Sequence, residues 1–223
     1  MIDTFRIGAY WADREESLDT VLNPTLETLI GLGELDDQFS NLYELGNTKK
    51  QIKGAVNLCA ETIKGLYQSG LKKTDLDGRG YSKIGYRLSL WTGHDEDKSS
   101  KISFSVGSKL FDNLCLITVP LEGAARERLL QIDKAKMIIE LLIQKWNPDV
   151  VIVSSRTLSN ALEVKNEMGW LTYTKKNNSS LKLNNNIIRE DNFGSGCLFY
   201  LHNNNGLVYD YKLMNQLLPL KLL

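Results

Sequence analysis

The sequence predicts an α+β fold, with helices toward both ends of the chain around a block of strands. Two changes of period predict it. Apolar residues recur at helical spacing over residues 18–30 and 126–146, and they alternate at period two over residues 84–90 and 102–106. Turn signals (Asp77-Gly78, Thr92-Gly93, Asp112-Asn113) leave connections too short for parallel crossovers, so the sheet should be mostly antiparallel.

In chain order, FRIGAYW (Phe5 to Trp11) reads as a strand. Asp13 and Glu16 stand at capping-box spacing, so a helix is predicted to start there, with Leu18, Val21, Leu22, Leu26, Leu29 and Ile30 on its apolar stripe and a kink or restart at Pro24. A second helix is predicted with Thr48 as cap, Gln51 three residues on, and Ile52, Val56, Cys59, Ile63, Leu66 and Tyr67 inward; Gly70 ends it. Two alternating strands follow, then LCLITVPL (Leu114 to Leu121), whose unbroken apolar run predicts a central strand covered on both faces. Arg126 to Trp146 reads as one long helix ended by Pro148, and DVVIVS as a buried strand. A short helix at 158–168, a strand at 170–174, a late strand pair near 187–190 and 197–202, and a last helix at 211–218 complete the expected single domain, 1–223.

The 223 residues are 42% hydrophobic, enough for a core that buries roughly 70% of the unfolded surface. Twenty-seven basic and 27 acidic residues cancel, so no whole-molecule field draws the chain to nucleic acid or an anionic membrane. The charge is nevertheless segregated: residues 1–45 hold ten acids against Arg6 and Arg14, and residues 46–110 hold twelve bases against six acids. The N-terminus lacks a basic stretch followed by an apolar one, and no run approaches the ~20 apolar residues of a membrane helix, so a cytoplasmic protein is expected. Cys59, Cys115 and Cys197 are odd in number, far apart and within apolar runs; they read as buried free thiols.

Catalytic and metal-binding patterns are sparse, and no cofactor is expected. His94 lies in the acidic turn GHDEDKSS, where neighbouring loop residues rarely converge on one ion, and His202 ends an apolar strand. Ser195 lacks nucleophile-elbow spacing, and Gly31-Leu-Gly33 lacks a third glycine. Pro148-Asp149 followed by Glu163-x-Lys165 has the order of a restriction-type nuclease, in which Asp and Glu hold a divalent ion beside a polarising Lys. That chemistry requires Glu and Lys to alternate on a strand. LSNALEVKNEM reads as helix, where residues two apart diverge by about 200°. Binding is therefore the expected role, with a metal-dependent nuclease using Asp149, Glu163 and Lys165 as the alternative.

Ala9-Tyr10-Trp11-x-x-Arg14-Glu15-x-Ser17, Leu90-Trp91-Thr92-Gly93, Asn113 with Val119-Pro120, Trp146-x-Pro148-Asp149 and Gly169-Trp170-Leu171-Thr172-Tyr173, in this order, resemble the immunity protein 52 family. The resemblance runs from about residue 5 to the C-terminal helix. It implies a cytosolic protein that binds and neutralises a toxin encoded beside it, with a restriction-endonuclease-like nuclease domain, delivered into rival cells by contact-dependent secretion. An adaptor for a secreted effector is a further alternative. The residues themselves supply a candidate partner surface: Glu15, Glu16, Glu34, Asp36 and Asp37 from the acidic N-terminal segment, Asp95, Glu96 and Asp97 from a separate loop, and Tyr10 with Trp11, neighbours that a strand sends to opposite faces. Aromatics bury large areas, so at least three of Trp11, Trp91, Trp146 and Trp170 are expected in the core.

Overall fold

Alternation in FRIGAYW makes β1, Phe5–Trp11: Phe5, Ile7, Ala9 and Trp11 are buried, and Arg6 and Tyr10 face outward. The computed structural model describes residues 3–45, 54–93, 95–158, 169–175 and 187–201. The remaining strands are β2 (Tyr43–Glu44), β3 (Tyr86–Trp91), β4 (Lys101–Val106), β5 (Asn113–Thr118), β6 (Val150–Ser155), β7 (Leu171–Thr174), β8 (Ile187–Phe193) and β9 (Gly196–Leu201). They form one antiparallel sheet in the order β2-β3-β4-β5-β1-β6-β7-β9-β8, so the fold is α+β as expected. The first strand therefore lies in the middle, with Ala9 opposite Cys115 on one side and Val151 on the other.

The helices α1 (Leu18–Leu35), α2 (Ala60–Ser69), α3 (Ala124–Leu129) and α4 (Ile132–Trp146) pack on one another and, through α2 and α4, on the sheet. Ser17 caps α1 rather than Asp13, its hydroxyl accepting the Thr20 N–H at 3.2 Å. Asp13 stands too early because the backbone at Arg14 and Glu16 is still bonded across to Ser108 and Gly107. The helix runs on through Pro24, held by packing against α2 and α4. Its buried face includes two threonines that periodicity passes over. Thr25 Oγ1 bonds the Val21 carbonyl and the Tyr67 hydroxyl, and Thr28 Oγ1 bonds the Pro24 carbonyl at 2.7 Å while accepting the Trp146 indole N–H at 2.9 Å. Trp146 stacks on Trp11 with centroids 5.1 Å apart and lies 5.8 Å from the Phe104 ring, tying α4 to β1 and β4. Trp11, Trp146 and Trp170 are buried, and Trp91 is half-buried.

Several boundaries move. The second helix begins at Ala60, so Val56 and Cys59 lie outside it; the Thr48 cap, Gln51 and Ile52 fall outside the described residues. The stretch 126–146 is two helices that meet at Leu130–Gln131, where Leu129 turns into the core. Asn147 closes α4 in the left-handed region, φ 46°. β5 alternates between buried and half-buried residues, so only one of its faces is fully covered. His94, His202, Glu163, Lys165, residues 159–168 of the short helix and the last helix lie outside the described residues. No described helix is long and apolar enough to cross a membrane.

None of the three cysteines is in a disulfide, but only Cys115 and Cys197 are buried. Cys59 is the half-exposed residue that precedes α2, and hydrogen bonds from the Thr62 hydroxyl and N–H hold its thiol below the usual range. Burial pushes the Cys115 and Cys197 thiols up. Titration of the native protein with a disulfide reagent should therefore modify one thiol rapidly. Cys59→Ser should remove that phase, leaving two thiols that react after denaturation. Trp146→Ala should lower the unfolding free energy by about 3–5 kcal/mol in a denaturant titration, because it empties the junction of α1, α4, β1 and β4.

Candidate functional site

The antiparallel strands give the molecule two ends, and the acids of the N-terminal segment are shared between them. At the end where β1 begins, α1 finishes and the chain enters a short 3-10 turn, Asp37–Phe39. Asp36 is almost buried there, its side chain 2% exposed. Arg128 of α3 donates to both its oxygens, Nε at 3.0 Å and Nη2 at 2.8 Å, and also reaches Asp37. Asp36 further accepts the Gln38 N–H at 3.0 Å and so starts the turn. The buried Gln38 amide then bonds the Lys98 carbonyl at 2.9 Å and the Thr92 hydroxyl at 3.1 Å. This joins the 36–39 turn to the β3–β4 connection. Glu34, Asp37, Asp95, Glu96 and Asp97 are exposed on these segments, and Glu122 follows because its N–H bonds the Asp97 carbonyl at 3.0 Å. The two acidic segments that are 60 residues apart in sequence thus share one end of the sheet.

Tyr10, Trp11, Glu15 and Glu16 lie at the other end. β1 separates the two ends by about 23 Å at ~3.3 Å per residue. Glu15 pairs with Arg79 at 2.8 Å, and Glu16 with Arg14 at 3.2 Å. Two of the proposed partner residues are withdrawn from the surface. Trp11 is 4% exposed, its ring packed against Trp146 and the Arg14 guanidinium, and Asp36 is held inward by Arg128. Tyr10 is outward and 37% exposed, the split between neighbours that strand geometry predicts. Its ring lies back across Gly8, where a Cβ would come within 2.7 Å of the ring carbons, so glycine is required for that contact. Burial against the sheet raises the Tyr10 phenol pKa, and the Arg6 cation partly offsets this.

This end also holds two residues that motif and charge reading pass over, Leu110 and Phe111, exposed by 68% and 53% in the β4–β5 turn. Their signal in the sequence is a pair of large apolar residues inside the turn GSKLFDN, where polar residues are the rule. Asp149 is here too, with Oδ2 accepting the Ala12 N–H at 3.0 Å. Its intended partners Glu163 and Lys165 lie outside the described residues. Among the described residues no three His, Cys, Asp or Glu side chains converge as metal ligands would.

The Asp36–Arg128 pair has a pH signature. Burial alone would raise the Asp36 carboxyl pKa, but the hydrogen bonds from Arg128 and the Gln38 N–H outweigh it and hold the group below the ordinary carboxylate range. A depressed folded value means the pair contributes its full stability above about pH 4 and loses it as pH falls through that value. Asp36→Asn should destabilise by about 2 kcal/mol at pH 7. The difference from the parent in denaturant titrations should close below pH 4.

Comparison with known proteins bears on the whole of this architecture. No curated protein matches the chain. A solved structure, Pseudomonas aeruginosa T6SS protein PA0821, is similar in fold, with a TM-score of 0.51 at 11% identity over 94% of this chain and 71% of that one. The model of the Immunity protein 52 family matches residues 3–189, which include β1 through the start of β8 and both ends of the sheet. The chain belongs to the immunity protein 52 family.

Proposed function

We propose that this immunity protein neutralises a cognate toxin by stoichiometric binding in the cytosol of the cell that makes it. It does so without catalysis of its own, and the toxin is a nuclease. The family match over residues 3–189 carries the reading. The nuclease assignment draws its support from charge: a phosphate-binding surface is basic, and Glu34, Asp37, Asp95, Glu96 and Asp97 are exposed acids grouped at one end of the sheet. Such a field acts at a distance and chiefly raises the association rate, which suits an antidote that must reach its target before damage is done. Asp36 contributes through structure, by fixing the turn that carries Asp37. We extend the proposal to a type VI secretion setting, the one named for the Pseudomonas aeruginosa protein of similar fold.

The toxin domain encoded beside this chain's gene is the probe. Co-expression of the chain should restore growth to a bacterial host that makes the toxin. Mixing the purified proteins at equimolar ratio should give a one-to-one complex with no nucleic-acid cleavage. Toxin that stays active with the chain in excess, and no complex on gel filtration, would reject the immunity role. The combined reversal Glu34→Lys, Glu96→Lys and Asp97→Lys should slow association about tenfold at low salt and progressively less as salt rises, with dissociation unchanged. Association rates equal to the parent's at low salt would remove the steering role while leaving neutralisation intact.

A further inference from the structure

The β4–β5 turn, which exposes two large apolar side chains, is held at its base by several buried hydrogen bonds. Ser108 and Asn113, 1% and 0% exposed, form its base. The Ser108 hydroxyl accepts the N–H groups of Leu110 and Phe111 at 3.2 and 3.1 Å, and its own N–H donates to Asn113 Oδ1 at 3.0 Å. Asn113 Nδ2 donates to the carbonyls of Ser108 and Ala12, both at 3.1 Å, and the Arg14 N–H also bonds the Ser108 carbonyl at 3.1 Å. Gly107 enters the turn at φ 75°, against the Tyr86 ring and the Glu16 carbonyl. Exposed Ile84 adjoins the same base, because Gly85 packs so close to Ser108 that a Cβ there would sit 3.0 Å from the Ser108 Cβ.

Charges of both signs surround this tip. Glu15, Arg79 and Asp77 neutralise one another in part through the pairs at 2.8 and 2.9 Å. Asp13, Asp112 and Asp149 are exposed and ion-paired with no described residue; the exposed cations beside them are Lys109 in the turn, Lys83 next to Ile84, and Lys175, whose N–H bonds the Asp149 carbonyl at 2.9 Å. A turn that only reverses the chain between two strands needs none of Ile84, Leu110 and Phe111 in water, and polar residues would serve it. Side chains whose backbone is already fixed lose little freedom when a partner covers them, which is how contact residues of tight complexes behave.

We propose that this end of the sheet is the surface on which the toxin docks, Leu110 and Phe111 entering an apolar cleft of the toxin that is rimmed by lysine or arginine facing Asp13, Asp112 and Asp149. The inference rests on the immunity reading above. It is compatible with steering acids at the opposite end, since a toxin domain of about 100 residues is roughly 30 Å across and spans the sheet. The two contributions separate kinetically, because steering acts on association and buried apolar contacts act on dissociation.

The test uses the full chain and the purified toxin domain encoded beside its gene, in surface-immobilised kinetics at physiological salt. Leu110→Ser with Phe111→Ser should raise the dissociation rate about 100-fold and change association less than about threefold, with the parent's melting temperature. Asp112→Lys should weaken binding in the same direction. In the parent, hydrogen exchange of residues 107–113 should slow in the complex. Parental dissociation rates for the double variant, with exchange at 107–113 unaffected by toxin, would overturn the docking surface while toxin binding and neutralisation stand. Conversion of a dimer of the parent chain to a monomer by the double variant, with unchanged toxin kinetics, would assign the turn to self-association and also overturn it. A parent chain that binds no toxin at all would remove the immunity reading and this one together.

Discussion

The position of β1 between β5 and β6 is the constraint on which the rest depends. A strand hydrogen-bonded on both sides fixes two registers at once, and a one-residue slip would turn Phe5, Ile7, Ala9 and Trp11 out of the core and Arg6 and Tyr10 into it. Because β6 ends at Ser155, the centre of the sheet cannot close until about two thirds of the chain is available. That is a topology of high contact order. The same register places Trp11 under Trp146, so α4, and through Thr28 also α1, take their places from the first strand.

Buried polar side chains then carry this order outward to the loops. Asp36, Gln38, Ser108 and Asn113 are nearly inaccessible, and each satisfies backbone groups of a segment remote from it in sequence or at a turn. A buried polar group left without a partner is costly, so the loops it bonds are locked to one arrangement. The result is that both ends of the sheet present surfaces held by hydrogen bonds, one with a group of exposed carboxylates and the other with an apolar tip bordered by charges of both signs. Rigid presentation of this kind fits a protein whose role is to hold another macromolecule, since little ordering remains to be done at the moment of contact.

The distribution of charge also changes meaning between chain and fold. As a sequence, residues 1–45 form one acidic block. In the fold, α1 carries its acids from one end of the sheet to the other, about 27 Å at 1.5 Å per residue. Glu15, Glu16 and Asp37 are partly neutralised by Arg79, Arg14 and Arg128, Asp36 is internal, and Glu34 and Asp37 are joined by Asp95, Glu96 and Asp97. Net charge counted along the chain therefore overstates one surface and misses the composition of another.

By itself the sequence determined the elements whose signal is local. The FRIGAYW run placed β1, period-two alternation placed β3 and β4, the turn dipeptides made the sheet antiparallel, and the opposed orientation of Tyr10 and Trp11 followed from strand geometry alone. The landmark order from Ala9 to Tyr173 carried the family. Tertiary structure decided what depends on contacts between distant segments. Ser17 rather than Asp13 caps α1 because Arg14 and Glu16 are bonded across to the β4–β5 turn, and the 126–146 helix breaks where Leu129 enters the core. Cys59 stays partly exposed because α2 starts only after it. The union of Asp37 with Asp95–Asp97 rests on Gln38, and the rigid exposure of Leu110 and Phe111 rests on Ser108 and Asn113. In the last two cases buried polar side chains bond loop backbone, and periodicity carries no record of those bonds.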